Sequence, residues 1–241
     1  MSTKIVVCDS GVGGLAVLKK LVNALPFAKF YYLSDCKNMP YGNKEADALK
    51  KLCIKKINFA NRVGASCLVV ACNTLATVGA EVFKNEKSLK IFYVLPPVQK
   101  IANFPLEKTK IFCTEATAKS PLLSEIITKN PTTVMPLKNL AKDVEENIFD
   151  LHKINLDFLN EINLEKGRVY LSCTHYIHLA DFFKIHFPSC EIFDGTEDLI
   201  DDLTKNFTFL NLKGKNCKIR FRGAGKCRMK RVYKRLLTAK N

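Results

Sequence analysis

Short apolar runs that stop at a few small polar side chains and then pass into helix-compatible sequence recur along this chain, and that alternation constrains its fold most. KIVVCDS gives way to the glycine-rich GVGGLAVLKKLVNAL, FYYLSD leads through CKNMPYGN to a helical stretch over 44–63, and CLVVACNT leads into LATVGAEVFKN, read as one helix. After IFYVL the pair Pro96-Pro97 interrupts regular structure and marks a hinge or boundary. The pattern then restarts with KIFCTEATAKS, the helix SPLLSEIITKN, and RVYLSCTHYIHLADFFK. Strands separated by helices pair in parallel, because a parallel neighbour needs a crossover.

Two spacings point to duplication. Cys8 and Cys113 end the first strand of each half 105 residues apart, and Cys72 and Cys173 end a later strand of each half 101 residues apart. A repeated α/β unit accounts for both. The expected architecture is therefore two pseudo-symmetric α/β domains with largely parallel sheets and a cleft between them, over 1–95 and 96–204, followed by a C-terminal segment over 205–241.

Composition narrows the functional classes. No apolar run reaches the roughly 18 to 20 residues needed to span a bilayer, and MSTKIVVCDSG lacks the zones of a secretion signal, so a cytoplasmic protein with no membrane contact is expected. In reducing cytosol, ten cysteines without a CxxC pair point to core packing or thiol chemistry rather than disulfides or a metal site. The net charge of +15 raises nucleic acid as a partner, yet twelve Lys and Arg and no acid lie between Lys213 and Asn241, leaving a surplus of only three before them. In that tail Met229, Val232, Tyr233, Leu236 and Leu237 fall on one helical stripe. The charge run thus reads as the solvated face of a docked terminal helix rather than as a nucleic-acid arm.

In open α/β sheets, ligands bind beyond the carboxyl ends of the strands. The candidates there are Asp9-Ser10, Pro40-Tyr41-Gly42, Cys72-Asn73-Thr74 and Cys173-Thr174-His175. Gly11, Gly13 and Gly14 fit neither GxGxxG nor GxxxxGK[ST], so nucleotide binding is disfavoured. They still let backbone N–H groups approach an anion, and a carboxylate serves as well as a phosphate. A lone strand-end cysteine is ordinarily a small core residue. Two of them facing each other from duplicated halves suggest proton abstraction on one face of an acidic C–H and donation on the other. The helix that follows each is expected to lower its thiol pKa, and Asp9 and His175 are placed to assist.

DSGVGGLAVL, SDCKNMPYG, VVACNT and LSCTHY, in this order from Lys4 to about Leu203, resemble the glutamate racemases of the aspartate/glutamate racemase superfamily. The resemblance implies a cofactor-independent isomerase that interconverts L- and D-glutamate, supplies D-glutamate for peptidoglycan, and pairs as a homodimer. It implies a C-terminal segment that returns to the first domain and no need for pyridoxal phosphate. Carried over by motif, Cys72 handles the proton of the D-substrate and Cys173 that of the L-substrate, assisted by Asp9 and His175. Ser10, Tyr41, Gly42, Asn73, Thr74, Thr117 and Thr174 hold the amino acid. The sequence departs from the family at Ile177, where proline usually follows Tyr176, at Pro121-Leu122-Leu123, at Cys113 in place of a glycine, and at Arg222-Gly223-Ala224. Two other readings stand beside this one: a racemase for aspartate or another amino acid, and a non-catalytic binding or regulatory homologue that uses the basic C-terminus.

Overall fold

The computed structural model describes residues 3–96, 98, 101, 104–207 and 217–238. Pro97, in the pair read as a boundary, and 208–216 and 239–241 of the basic segment lie outside the described residues. The first half runs β1 (Lys4–Asp9), α1 (Gly14–Ala24), β2 (Lys29–Asp35), α2 (Ala46–Arg62), β3 (Cys67–Val70), α3 (Asn73–Val78), α4 (Ala80–Asn85) and β4 (Lys90–Tyr93). The second half runs β5 (Thr109–Cys113), α5 (Glu115–Ala118), α6 (Pro121–Lys129), β6 (Val134–Pro136), α7 (Leu140–Asn147), β7 (Arg168–Ser172), α8 (Ala180–His186), β8 (Glu191–Phe193) and α9 (Thr196–Phe207). It is followed by β9 (Lys218–Ala224) and α10 (Lys226–Thr238).

The strands form two sheets, ordered β4-β3-β1-β2-β9 and β6-β5-β7-β8, and every described pairing is parallel. Read from its other edge, the second sheet runs fourth, third, first, second strand of its half, which is the order of the first sheet without β9. Cys8 on β1 and Cys113 on β5 therefore occupy equivalent inner strands, while Cys72 and Cys173 follow the equivalent neighbours β3 and β7. This is a pseudo-symmetric pair of α/β units.

Strand alternation distributes the core over three clusters. Ile5 and Val7 of β1 face a central core shared by both halves, which also takes Phe112, Val144 and Leu171, while Val6 and Cys8 face a separate cluster under α2. Ile111 and Cys113 face a third cluster outside the second sheet. The central cluster spans both halves, so burying it ties them together.

The stretch read as one helix over 75–85 is two, α3 and α4, broken at Gly79. A Cβ there would sit 2.6 Å from the carbonyl oxygen of Leu75 and would also collide with Cys53, so the close packing of α3 on α2 fixes the break. Helix α9 begins just after Gly195 and packs against α1 and β4 of the first sheet.

Strand β9 extends the first sheet beside β2, and α10 buries Met229, Val232 and Tyr233 in the central core with Leu236 against it. Leu237, expected on the same stripe, is 55% exposed because the stripe ends one residue earlier. Several tail cations are engaged locally. Arg231 and Arg235 lie 5.2 and 5.3 Å over the Phe149 ring, and Arg235 donates to the Phe149 carbonyl at 2.9 Å. Among the described residues no helix is long and apolar enough to cross a membrane, and no cluster of His, Cys, Asp and Glu is arranged to hold a metal ion.

Candidate active site

All strands of one sheet point the same way, so their polar C-terminal residues gather along one edge. The two edges meet around a buried cavity of about 10 Å³. The first half contributes Ser10, Tyr41, Gly42, Cys72, Asn73 and Thr74 to its wall, and the second contributes Thr114, Cys173, Thr174 and His175. Asp9 and Thr117 stand immediately behind that wall. Asp9 accepts from the Gly11 N–H at 3.1 Å and from the Thr174 hydroxyl at 3.1 Å across the cleft. The Thr117 hydroxyl lies 3.0 Å from that of Thr114 and donates to that of Thr74 at 3.3 Å.

Both cysteines are buried and free, but their surroundings differ. The Cys72 thiol is pushed well above its ordinary range, first by burial and then by the Asp9 carboxylate. That reverses the expectation of a thiol acidified by its helix. Helix α3 has only six residues, and its N-terminal N–H groups do not offset desolvation. Beside Cys173 stands His175, whose pKa rises to about 10. Burial opposes the charged ring, but hydrogen bonds to Cys173 and Glu145, the Cys173 charge and the Asp9 charge outweigh it. One wall thus carries a neutral thiol beside a carboxylate, and the other a sulfur beside an imidazolium. Burial also raises the Asp9 pKa, against the pull of His175, the Gly11 and Gly14 N–H groups and Thr174.

Glu145 escaped the sequence reading. It lies in α7 among Leu140, Ala141, Val144 and Ile148, on the buried face rather than the solvated one. Its Oε2 accepts the Val12 N–H at 2.7 Å and lies 2.9 Å from His175 Nε2. Burial would raise its pKa, but the His175 hydrogen bond and charge, the Val12 N–H and the Arg228 charge hold it below the usual carboxylate range. The glycine turn does receive carboxylates at its N–H groups, Asp9 at Gly11 and Glu145 at Val12, and both belong to the chain itself. Gly11 lacks the Cβ that would run into Glu145, and a Cβ at Gly13 would lie 2.7 Å from the His175 backbone nitrogen. A carboxylate at i, i+1, i+4 spacing with apolar residues was the signal that could have found Glu145.

Thr114 was also missed; it caps α5 by accepting the Thr117 N–H, and its hydroxyl lies 2.8 Å from that of Thr74. Apart from the two thiols and the His175 ring, the polar side chains of the lining are thus hydroxyls and one amide. Asn73 donates through Nδ2 to the Val94 carbonyl at 3.2 Å, and its buried Oδ1 has no hydrogen-bond partner among the described residues. On the Cys72 side, Tyr41 donates to Asp35 at 2.6 Å, and Asp35 pairs with the buried Lys56 at 3.3 Å.

A cavity of 10 Å³ has room for about one water. Outside it a second cavity of about 1010 Å³ shares Gly42 and is lined by Lys44, Lys119, Lys138, Pro121 and Leu122 among others. The departure at Pro121-Leu122 therefore shapes the approach rather than the inner wall, and Leu123 is buried in the third core.

No protein-family model matches the chain. Among curated proteins, a glutamate racemase from Persephonella marina is 33% identical over 217 residues, which cover 86% of this chain and 83% of that protein. The crystal structure of glutamate racemase from Campylobacter jejuni superposes with a TM-score of 0.78 at 25% identity, covering 99% of this chain and all of that one. The glutamate racemase isoform RacE1 of Bacillus anthracis has a TM-score of 0.80 at 23% identity, over 99% of this chain and 95% of that one, a likeness of fold.

Proposed function

The chain belongs to the glutamate racemases, a family of isomerases, and from that premise we propose that it interconverts L- and D-glutamate by passing the Cα proton between Cys72 and Cys173. The observation that carries this reading is the placement of two free thiols, from equivalent strand ends of a duplicated unit, on opposite halves of one buried cavity.

The unequal surroundings of the two sulfurs support different resting roles for them. The Cys173 sulfur has the His175 ring hydrogen-bonded beside it, so in this reading it acts as the base. Cys72, held neutral by burial and by Asp9, is the acid. L-glutamate entering this state loses its Cα proton to Cys173 and receives one from Cys72 on the opposite face, leaving as D-glutamate. The reverse reaction starts from the opposite protonation of the pair. Each base then meets a proton on its own face, as inversion at a single carbon requires. Asp9 and His175 act on the two sulfurs as the charges that set these states.

Ser10, Asn73, Thr74 and Thr174 supply the polar atoms that hold the amino acid, and the unpartnered Asn73 Oδ1 suits an ammonium donor. Tyr41, Gly42 and Thr117 complete the carboxylate sites, with Thr74, Thr114 and Thr117 exchanging their mutual hydrogen bonds for the substrate. Room for about one water does not admit glutamate, so the halves separate along the Thr74–Thr114 contact to take substrate from the outer cavity, then close on it. Closure excludes water from the carbanion, which strengthens every electrostatic interaction in the site. The family likeness further supports a homodimer and a role in supplying D-glutamate to peptidoglycan.

Circular dichroism on L- and D-glutamate, with aspartate in parallel and no added cofactor, tests the reading. Both glutamate enantiomers are expected to converge on one racemic end point. Turnover of aspartate alone would move the substrate assignment within the superfamily, and no turnover of either would overturn it.

A further inference from the structure

The basic C-terminal segment has no part in the mechanism above, yet one of its cations reaches the site. Arg228, in the first turn of α10, directs Nη1 to Glu145 Oε1 and Nη2 to the Glu145 main-chain carbonyl. The other oxygen, Oε2, is shared by the Val12 N–H and His175 Nε2. Each carboxylate oxygen is thus committed to a different segment: Oε1 to the C-terminal helix, Oε2 to the turn after β1 and to the loop after β7. The Glu145 side chain is 4% exposed and that of Arg228 32%, so the fork closes the buried carboxylate from the solvent side. Met229, Val232 and Tyr233 anchor the helix turns that follow. Tyr32 and Cys36 are further titratable side chains that feel the Glu145 charge.

We propose that Arg228 is a positioning residue for proton transfer at Cys173, acting through Glu145 to keep His175 against that sulfur. A planar guanidinium that grips one carboxylate oxygen and the main-chain carbonyl fixes the rotation of the carboxylate, which a single-point ammonium cannot do. Without it, Oε1 becomes a buried acceptor lacking its cation, and the carboxylate either turns or takes up a proton. Both outcomes disturb the acceptor of His175 Nε2. The inference rests on the two-thiol reading for what His175 does, but the clamp itself is visible without turnover.

The test compares the full chain with Arg228→Lys and Arg228→Met. In Arg228→Met, kcat/KM is expected to fall about ten- to a hundredfold, the usual cost of losing a group that orients a reacting one. The fall must be equal in both directions, because the equilibrium constant between enantiomers is one. The primary isotope effects separate the two sides. With Cys173 impaired, Cα-deuterated L-glutamate is expected to show a larger effect on kcat/KM than with the parent, and Cα-deuterated D-glutamate a smaller one. Arg228→Lys is expected to lie between, and it carries the test if Arg228→Met fails to fold. Rates within twofold of the parent in the folded variants, or isotope effects that move alike for both enantiomers, would overturn the proposal. Independently, the His175 Nε2–H resonance in 15N-histidine-labelled protein is expected to shift or vanish in the variants. If the parent does not racemise glutamate, the functional reading fails while this resonance still decides the clamp, and an unchanged resonance would overturn it.

Discussion

Replacing Gly13 by alanine isolates the contribution of close approach between the two halves. Gly13 has φ −54° and ψ −48° at the start of α1, a conformation any residue adopts, so alanine adds no backbone strain. The helix propensity that favours alanine in a helix interior gives no gain here, because Gly13 caps α1 and glycine is preferred over alanine at that position. The added Cβ would lie 2.7 Å from the His175 backbone nitrogen, 2.8 Å from its Nδ1 and 2.5 Å from Thr174 Oγ1. Ordinary contact begins near 3.4 Å, so a main-chain atom of the Cys173 loop must retreat by about 0.7 Å. Overpacking of this kind costs about 1–3 kcal/mol. The net loss of stability is then about 1–3 kcal/mol, or roughly 2 to 12 °C in melting temperature. The larger consequence is catalytic, because Thr174 and His175 move relative to Cys72. Misplacement by about 1 Å costs on the order of a hundredfold in rate, so kcat should fall about ten- to a hundredfold. Initial rates by circular dichroism and a melting curve measure both. A variant with kcat within twofold of the parent would refute the claim that this contact sets the spacing of the two walls.

Replacing either Cys72 or Cys173 by serine should abolish racemisation and lower the melting temperature by only a few degrees, since one sulfur is exchanged for one oxygen; retained activity would refute the two-thiol reading. His175 gains a stabilised charge on folding, with its pKa rising from 6.5 to about 10. Its contribution to stability is therefore full below pH 6.5 and lost as pH climbs toward 10, and the decline in melting temperature over that window should flatten in His175→Asn. Lys56→Met should cost about 1–3 kcal/mol by leaving the partly buried Asp35 without its cation, and the same substitution should weaken substrate binding through Tyr41.

Much of the site was legible because parallel strands end in polar residues at one edge, and a duplicated unit repeats that edge. The CDS, CNT and CTHY runs each interrupt an apolar strand where a solely structural segment would stay apolar. What the sequence hid depends on distance and burial. Glu145 meets Val12 across 133 residues, and DVEEN reads as solvated surface until α7 is seen to turn its second acid inward. Arg228 was hidden by its neighbours, one cation in a run whose other described members are exposed, two of them over Phe149. The expectation of an acidified Cys72 failed because it weighed a helix terminus without the Asp9 carboxylate and the desolvation that outweigh it. The break at Gly79 comes from the packing of α3 on α2, contacts that local sequence does not encode.

The two-thiol transfer is tested most directly by the fate of the Cα proton in deuterated water. With L-glutamate as substrate and the reaction stopped early, the account expects nearly all D-glutamate formed to carry deuterium at Cα while the remaining L-glutamate stays protiated, because each face has its own base. D-glutamate that retains the original protium, or L-glutamate that becomes labelled as fast as product appears, would contradict it.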